Sequence, residues 1–326
     1  IHPIFSEVIY EQGSLVEFIA GNSPSTSYDN WLSHVSEGIV SPGFNDYGPE
    51  WLDIQTNGFG GHTILNENSP TLSYWETIFN RFVDGDTSLV DSLLTDSAQS
   101  FFYELVIFDD TTLNKTFHLL REQLDTSYVD YNIPEITSDD VVGGFRNGWG
   151  LFIINMDAAR EQILIQVPHP CDDFIAPYIA LDLFFETDAF GFMIAGAGRE
   201  VAWNEIGDYS NSKSISDPSR YPHTVFQKFQ DAVTEPLIGI NPHWPLVFAI
   251  HSFDNQTHLE RKPIIMAAGG QNPFTTKPIR DITNDHFDII NFTEEYPIYI
   301  NEFGSHDPLH VTEYYAVFFD DQCVYD

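Results

Sequence analysis

The hydrophobic positions of this 326-residue chain fall into two kinds of run. Short, almost wholly apolar stretches bounded by turn residues recur at 103–108, 115–120, 148–155, 163–167, 191–196, 246–251, 263–269, 297–301 and 314–319. Their length, and the lack of polar alternation in the later ones, predict strands buried on both faces of a sheet. Between them lie segments with helical spacing. Residues 72–82 (LSYWETIFNRF) form one, with Ser69-Pro70 as its start, and 91–102 a second, shorter one. Further helices are predicted over 173–187 and over 221–234, the latter with Pro222 in its first turn, and a helical patch over 285–290. The runs 103–108 and 115–120, joined by Asp109-Asp110-Thr111, read as a hairpin; Arg121, Glu122 and Asp125 just beyond predict a solvated edge.

Apolar strands alternating with helices predict an α/β fold: a mixed, largely parallel sheet flanked by helices, with an N-terminal α+β elaboration. The polar, turn-rich segment 132–144 (NIPEITSDDVVGG) marks a soft boundary. It divides an N-terminal α+β region, 1–140, from an α/β catalytic domain, 141–326, which can equally form one continuous domain.

Charge narrows the list of partners. The chain carries 13 Lys and Arg against 49 Asp and Glu, a formal net charge of −36. That balance repels phosphate backbones and anionic membrane surfaces, so neither nucleic acid nor a membrane is an expected partner. No run approaches the roughly twenty apolar residues of a membrane span. The acidity fits solubility in salt, an extracellular setting or loading with divalent cations, and a first residue that is Ile rather than Met fits a removed leader or a trimmed chain; a secreted or periplasmic protein is the preferred expectation. The two cysteines, Cys171 and Cys323, allow one disulfide at most. Cys171 reads better as a small buried hydrophobe than as a thiolate, because no basic neighbour activates it.

The candidate chemistry sits at strand ends. The run 163–167 hands over to a helix through His169-Pro170-Cys171-Asp172-Asp173, and other strands end in Arg199-Glu200, His251-Ser252-Phe253-Asp254 and Asn301-Glu302. In α/β proteins ligands bind at the carboxyl ends of the strands, so these residues converge if they share one side of the sheet. A single strand-end histidine is more often structural; two with a carboxylate favour a site. Two imidazoles and one carboxylate suit one zinc ion and leave a position for water, which makes His169, His251 and either Asp172 or Asp173 the candidate ligands. Glu302 is the candidate general base. Arg199, a rare positive charge, is the candidate anchor for a substrate carboxylate, and Arg220 and His223 either enter the same cleft or cap the helix that follows. The glycine-rich loop at 57–62 has no strand before it and no lysine-bearing helix after it, so it reads as a plain turn. No G-x-S-x-G is present.

His169-Pro-Cys-Asp172-Asp173 after an apolar strand, with Val247-Phe-Ala-Ile-His251-Ser252 later, resembles the ligand segments of the zinc-exopeptidase and amidohydrolase superfamily. That group includes zinc carboxypeptidases, N-formylglutamate amidohydrolases and cell-wall amidases. The resemblance spans roughly 148–305. It implies a mixed α/β sheet, His169 and His251 as zinc ligands with Asp172 or Asp173 as the acid, and Glu302 in the place of the base. The carboxypeptidase pattern has Glu three residues after its first His, where this chain has Asp172. The expected activity is hydrolysis of an amide or peptide bond in a small-molecule or peptide substrate that carries a carboxylate. The alternative is an exported acidic binding protein without catalysis, calcium-loaded or metal-free, although no EF-hand or repeat loop supplies the oxygens calcium needs.

Overall fold

The computed structural model describes residues 8–21, 31–35, 62–96, 101–129, 142–170, 173, 176–198, 203–204, 213–214, 216–219, 221–238, 240, 245–251, 264–268, 289–291 and 316–318. In chain order the strands are β1 (Ile9–Gly13), β2 (Tyr103–Asp110), β3 (Lys115–Glu122), β4 (Asp125–Val129), β5 (Val142–Gly144), β6 (Leu151–Ile154) and β7 (Arg160–Val167). There follow β8 (Ala189–Ile194), β9 (Trp203–Asn204), β10 (Lys213–Ser214), β11 (Leu246–Ala249), β12 (Ile264–Ala268), β13 (Ile289–Asn291) and β14 (Ala316–Phe318). The α-helices are α1 (Leu15–Ala20), α2 (Pro70–Val83), α3 (Thr87–Leu94), α4 (Ala176–Thr187) and α5 (Val225–Thr234). None of the helices among the described residues is long and apolar enough to cross a membrane.

The fold is α/β around one mixed sheet, in the order β1-β2-β3-β6-β8-β7-β11-β14-β12-β13. β8, β7, β11 and β14 run parallel as a block, whereas β2, β3, β6 and β8 pair antiparallel in succession. β3 pairs with β6, so the sheet passes without a break across position 140. Alternation along each strand sends side chains to two separate cores. One face buries Leu105, Leu120, Phe152, Leu164, Met193, Val247 and Ala249 against Trp75, Phe79 and Phe82 of α2 and Phe226, Phe229 and Val233 of α5. The other buries Val106, Phe117, Ile153, Ile165, Val167, Phe192 and Ile250 against Phe18 of α1 and Leu181 and Phe184 of α4.

Several local expectations change. The hairpin forms as β2 and β3, but its end is no solvated edge: β6 covers β3, and Arg121 and Glu122 are buried at 3% and 1% exposure. Arg121 is held there by Glu104 at 2.7 Å and Glu11 at 2.6 Å. The second helix runs over Thr87–Leu94 rather than 91–102, because the Asp86 side chain accepts the Leu89 N–H and starts it early. α5 starts at Val225, with the Thr224 hydroxyl accepting the Gln227 N–H, and leaves Pro222 in the turn ahead of it. Ile289 and Ile290, expected in a helical patch, pair with β12 as β13, the arrangement that suits β-branched side chains. The predicted strand 297–301 and the glycine-rich residues 57–61 lie outside the described residues.

Two connections set up a switch point in the strand order. β7 returns through α4 to β8, and β8 crosses through α5 to β11 on the other side of β7. α4 and α5 pack on opposite faces of the sheet, so the chain leaves the carboxyl ends of β7 and β8 in opposite directions. Such a switch point is where open α/β sheets bind ligands.

Candidate metal centre

β7 and β11 are parallel neighbours, with Ala249 opposite Gln166. The Ile250 N–H donates to the Gln166 carbonyl at 2.9 Å and carries the pairing one residue past β11. His169 and His251 each stand two residues beyond the last residue of their strand, so this register brings the two imidazoles side by side. Their ring centroids lie 4.9 Å apart, at 62°.

Asp173 reaches the same point by a helical turn. Its N–H donates to the His169 carbonyl at 3.0 Å, which puts residues 169 and 173 on one side of the turn. Asp173 Oδ2 sits 3.3 Å from His169 Nδ1 and 2.8 Å from His251 Nδ1. His169, Asp173 and His251 are 0%, 1% and 3% exposed. One ligand atom from each lies within 4.8 Å of the others.

A fourth side chain completes the cluster. Asp217, in the connection that leads to α5, places Oδ1 2.9 Å from His169 Nε2. The Ser219 N–H donates to the same oxygen at 2.8 Å and fixes the carboxylate in an Asx-type turn. The Ser216 hydroxyl donates to the Gly198 carbonyl, tying this segment to the chain beyond β8. Gly196 is what lets that chain pass: a Cβ there would stand 2.6 Å from the Gly150 nitrogen and 2.8 Å from the Gly148 carbonyl carbon.

The electrostatics follow from burial and sign. Burial alone would depress the His169 imidazole, but Asp217 and Asp173 override it and push the group up to about 10. Burial works to raise the Asp173 carboxyl, and the hydrogen bonds and charges of His169 and His251 hold it down at about 2. His251 moves the other way, lowered by burial despite Asp173. The metal-free cluster is therefore an imidazolium between two carboxylates, beside a neutral imidazole whose Nδ1–H donates to Asp173.

These residues fit a divalent ion. Ligand atoms about 2.0–2.1 Å from a tetrahedral zinc are about 3.3 Å apart; the His169 Nδ1–Asp173 Oδ2 separation of 3.3 Å matches, and the 2.8 Å hydrogen bond from His251 Nδ1 would open to admit the ion. Asp173 Oδ1 is buried without a hydrogen-bond partner, and His169 Nδ1 has only the 3.3 Å approach of Asp173 Oδ2, which leaves both atoms able to take a bond to an ion. Asp217 on His169 Nε2 is the outer carboxylate that keeps a ligating imidazole's proton on its far nitrogen and its near nitrogen free. The set does not suit calcium, which takes about six to eight oxygens.

The other candidates are placed differently. His223 is half-buried and packs edge-on against Tyr221, centroids 5.3 Å apart, and no described interaction joins it to the cluster. Cys171, Asp172, Arg199, Glu200, Arg220, Asp254 and Glu302 lie outside the described residues. The one sequence signal for Asp217 is the Asp-Pro-Ser turn just before a helix. No family model, curated protein or solved structure matches the chain.

Proposed function

We propose that this protein is a zinc-dependent hydrolase of an amide or peptide bond, with one zinc held by His169 Nδ1, His251 Nδ1 and Asp173. The observation that carries the reading is the meeting of two imidazoles and a carboxylate at the ends of two adjacent parallel strands, all buried, with Asp217 behind one imidazole. Bound there, zinc would lower the pKa of a water in the remaining position towards 7 and polarise a carbonyl. Asp217 would orient the His169 imidazole from its far nitrogen, and Asp173, as a ligand, would balance the charge of the ion. In the same reading Glu302 takes the proton from the water, Arg199 holds a substrate carboxylate, and the protein works outside the cytoplasm on a small-molecule or peptide substrate.

A serine hydrolase is the runner-up because Ser219 Oγ lies 3.4 Å from His169 Nε2, and Asp173 stands at the other ring nitrogen. Two facts disfavour it. Asp217 occupies Nε2 at the shorter distance of 2.9 Å, and an imidazole pushed up to about 10 already carries the proton a base must accept.

Metal analysis decides between them. Chain purified without added metal is expected to carry about one zinc per molecule, in line with the one three-ligand cluster among the described residues, and His169→Ala and His251→Ala are expected to lose it. Full retention of activity in metal-free, chelator-treated chain would overturn the zinc reading. Glu302→Gln is expected to keep the metal and lose turnover.

A further inference from the structure

On β7, three residues before His169, stands a polar side chain that the fold does not satisfy. Gln166 is 0% exposed, and neither its Nε2 nor its Oε1 has a hydrogen-bond partner. It stands on β7 between Met193 of β8 and Ala249 of β11, both of which belong to the core on the α5 side. Leu164, two residues earlier, faces the same core, while Val167 faces the other. Continued past β11, the alternation puts Ile250 on the opposite core and returns His251 to the Gln166 side. The segment 216–219, with the carboxylate that holds His169, leads into α5 on this side as well. Gln166 therefore shares a side of the sheet with His251, which lies two residues beyond its partner Ala249, and is set among apolar neighbours.

Burying both polar ends of an amide unpaired is costly, and stable folds keep such a group where something outside the polypeptide supplies its partner. Three protein ligands leave a zinc position for an exogenous oxygen, and that oxygen is a group of the right chemistry. We propose that Gln166 is a positioning residue for the oxygen-donor ligand at the metal: its amide N–H donates to a water in the resting protein and to the substrate carbonyl in turnover. A glutamine suits this task because it stays neutral beside the ion, whereas a carboxylate at the same place would compete as a ligand.

The inference rests on the zinc reading, and cobalt separates the two. The chain, Gln166→Leu and the length-matched Gln166→Met are loaded with cobalt(II), and the visible band is titrated with acetohydroxamate, an anionic oxygen-donor probe. The melting temperature of each metal-free protein is measured in parallel. The expected result is a higher melting temperature in both variants, since an unsatisfied amide has been removed, together with about tenfold weaker acetohydroxamate binding at unchanged cobalt affinity, the loss of one hydrogen bond to a charged ligand. Unchanged acetohydroxamate affinity would overturn the role, and so would a lower melting temperature, which would show that the fold itself satisfies the amide. Absence of a cobalt band in every chain removes the metal reading and this one with it. A band in every chain with unchanged probe affinity removes this one alone.

Discussion

Asp217 offers the sharpest test of the cluster, because it touches the proposed ion only through His169. Its Oδ1 is 2.9 Å from His169 Nε2, and both side chains are almost wholly buried. In the metal-free chain His169 is an imidazolium flanked by two carboxylates. Asp217→Ala takes one away and leaves the charge with Asp173 alone at 3.3 Å. Breaking a buried pair on one side costs about 3–5 kcal/mol, so the variant is expected to unfold at markedly lower denaturant. Zinc affinity is expected to fall as well, because Nε2 loses its acceptor and the proton is free to move to Nδ1, the ligating nitrogen. Outer carboxylates of this kind contribute about 10- to 100-fold in affinity, about 1.4–2.7 kcal/mol at 1.36 kcal/mol per tenfold. Asp217→Asn is the control: its Oδ1 can still accept from both Nε2 and the Ser219 N–H, so it should lose less of each. The assay is competition with a chromophoric zinc chelator, read alongside urea unfolding. If Asp217→Ala binds zinc as tightly as the parent chain, Asp217 does not orient a metal ligand.

Three further expectations follow from the surrounding structure. Burial pushes the Glu122 carboxyl up to about 8, against backbone N–H donors that include Asn147 and Gly148. The folded chain then holds a proton between about pH 4.5 and 8 that the unfolded chain has released, so this group makes stability fall as pH rises through that window, and Glu122→Gln should flatten the slope in urea titrations. Gly196→Ala would drive a Cβ into the backbone of Gly148 and Gly150; about 1–3 kcal/mol of destabilisation is expected, with weaker zinc binding because the displaced chain carries the Ser216 anchor. Arg121→Ala leaves Glu104 and Glu11 without their shared cation, and calorimetry should show a loss of about 3–5 kcal/mol; a loss within the range of ordinary surface substitutions would mean that water reaches these carboxylates.

Much of the architecture was legible because it is written in local periodicity. The apolar runs at 103–108, 163–167 and 191–196 correspond to β2, β7 and β8, and the helical spacing of 72–82 corresponds to α2. Boundaries were less legible where a single cap decides them, as Asp86 does for α3 and Thr224 for α5. The buried state of Arg121 was not legible at all. It depends on which strand covers β3, and β6 arrives from thirty residues further on.

The site divides along the same line. That His169 and His251 follow apolar strands, and that an acid lies within a turn of the first, are properties of the sequence alone, since composition and spacing suffice to make strand ends polar. That Asp173 turns inward, that the two imidazoles face each other, and that Asp217 stands behind one of them were decided by the tertiary structure. Strand order and register set those distances. Both arise from packing two apolar faces against helices far apart in the chain, and that global balance leaves no mark in any short window of residues.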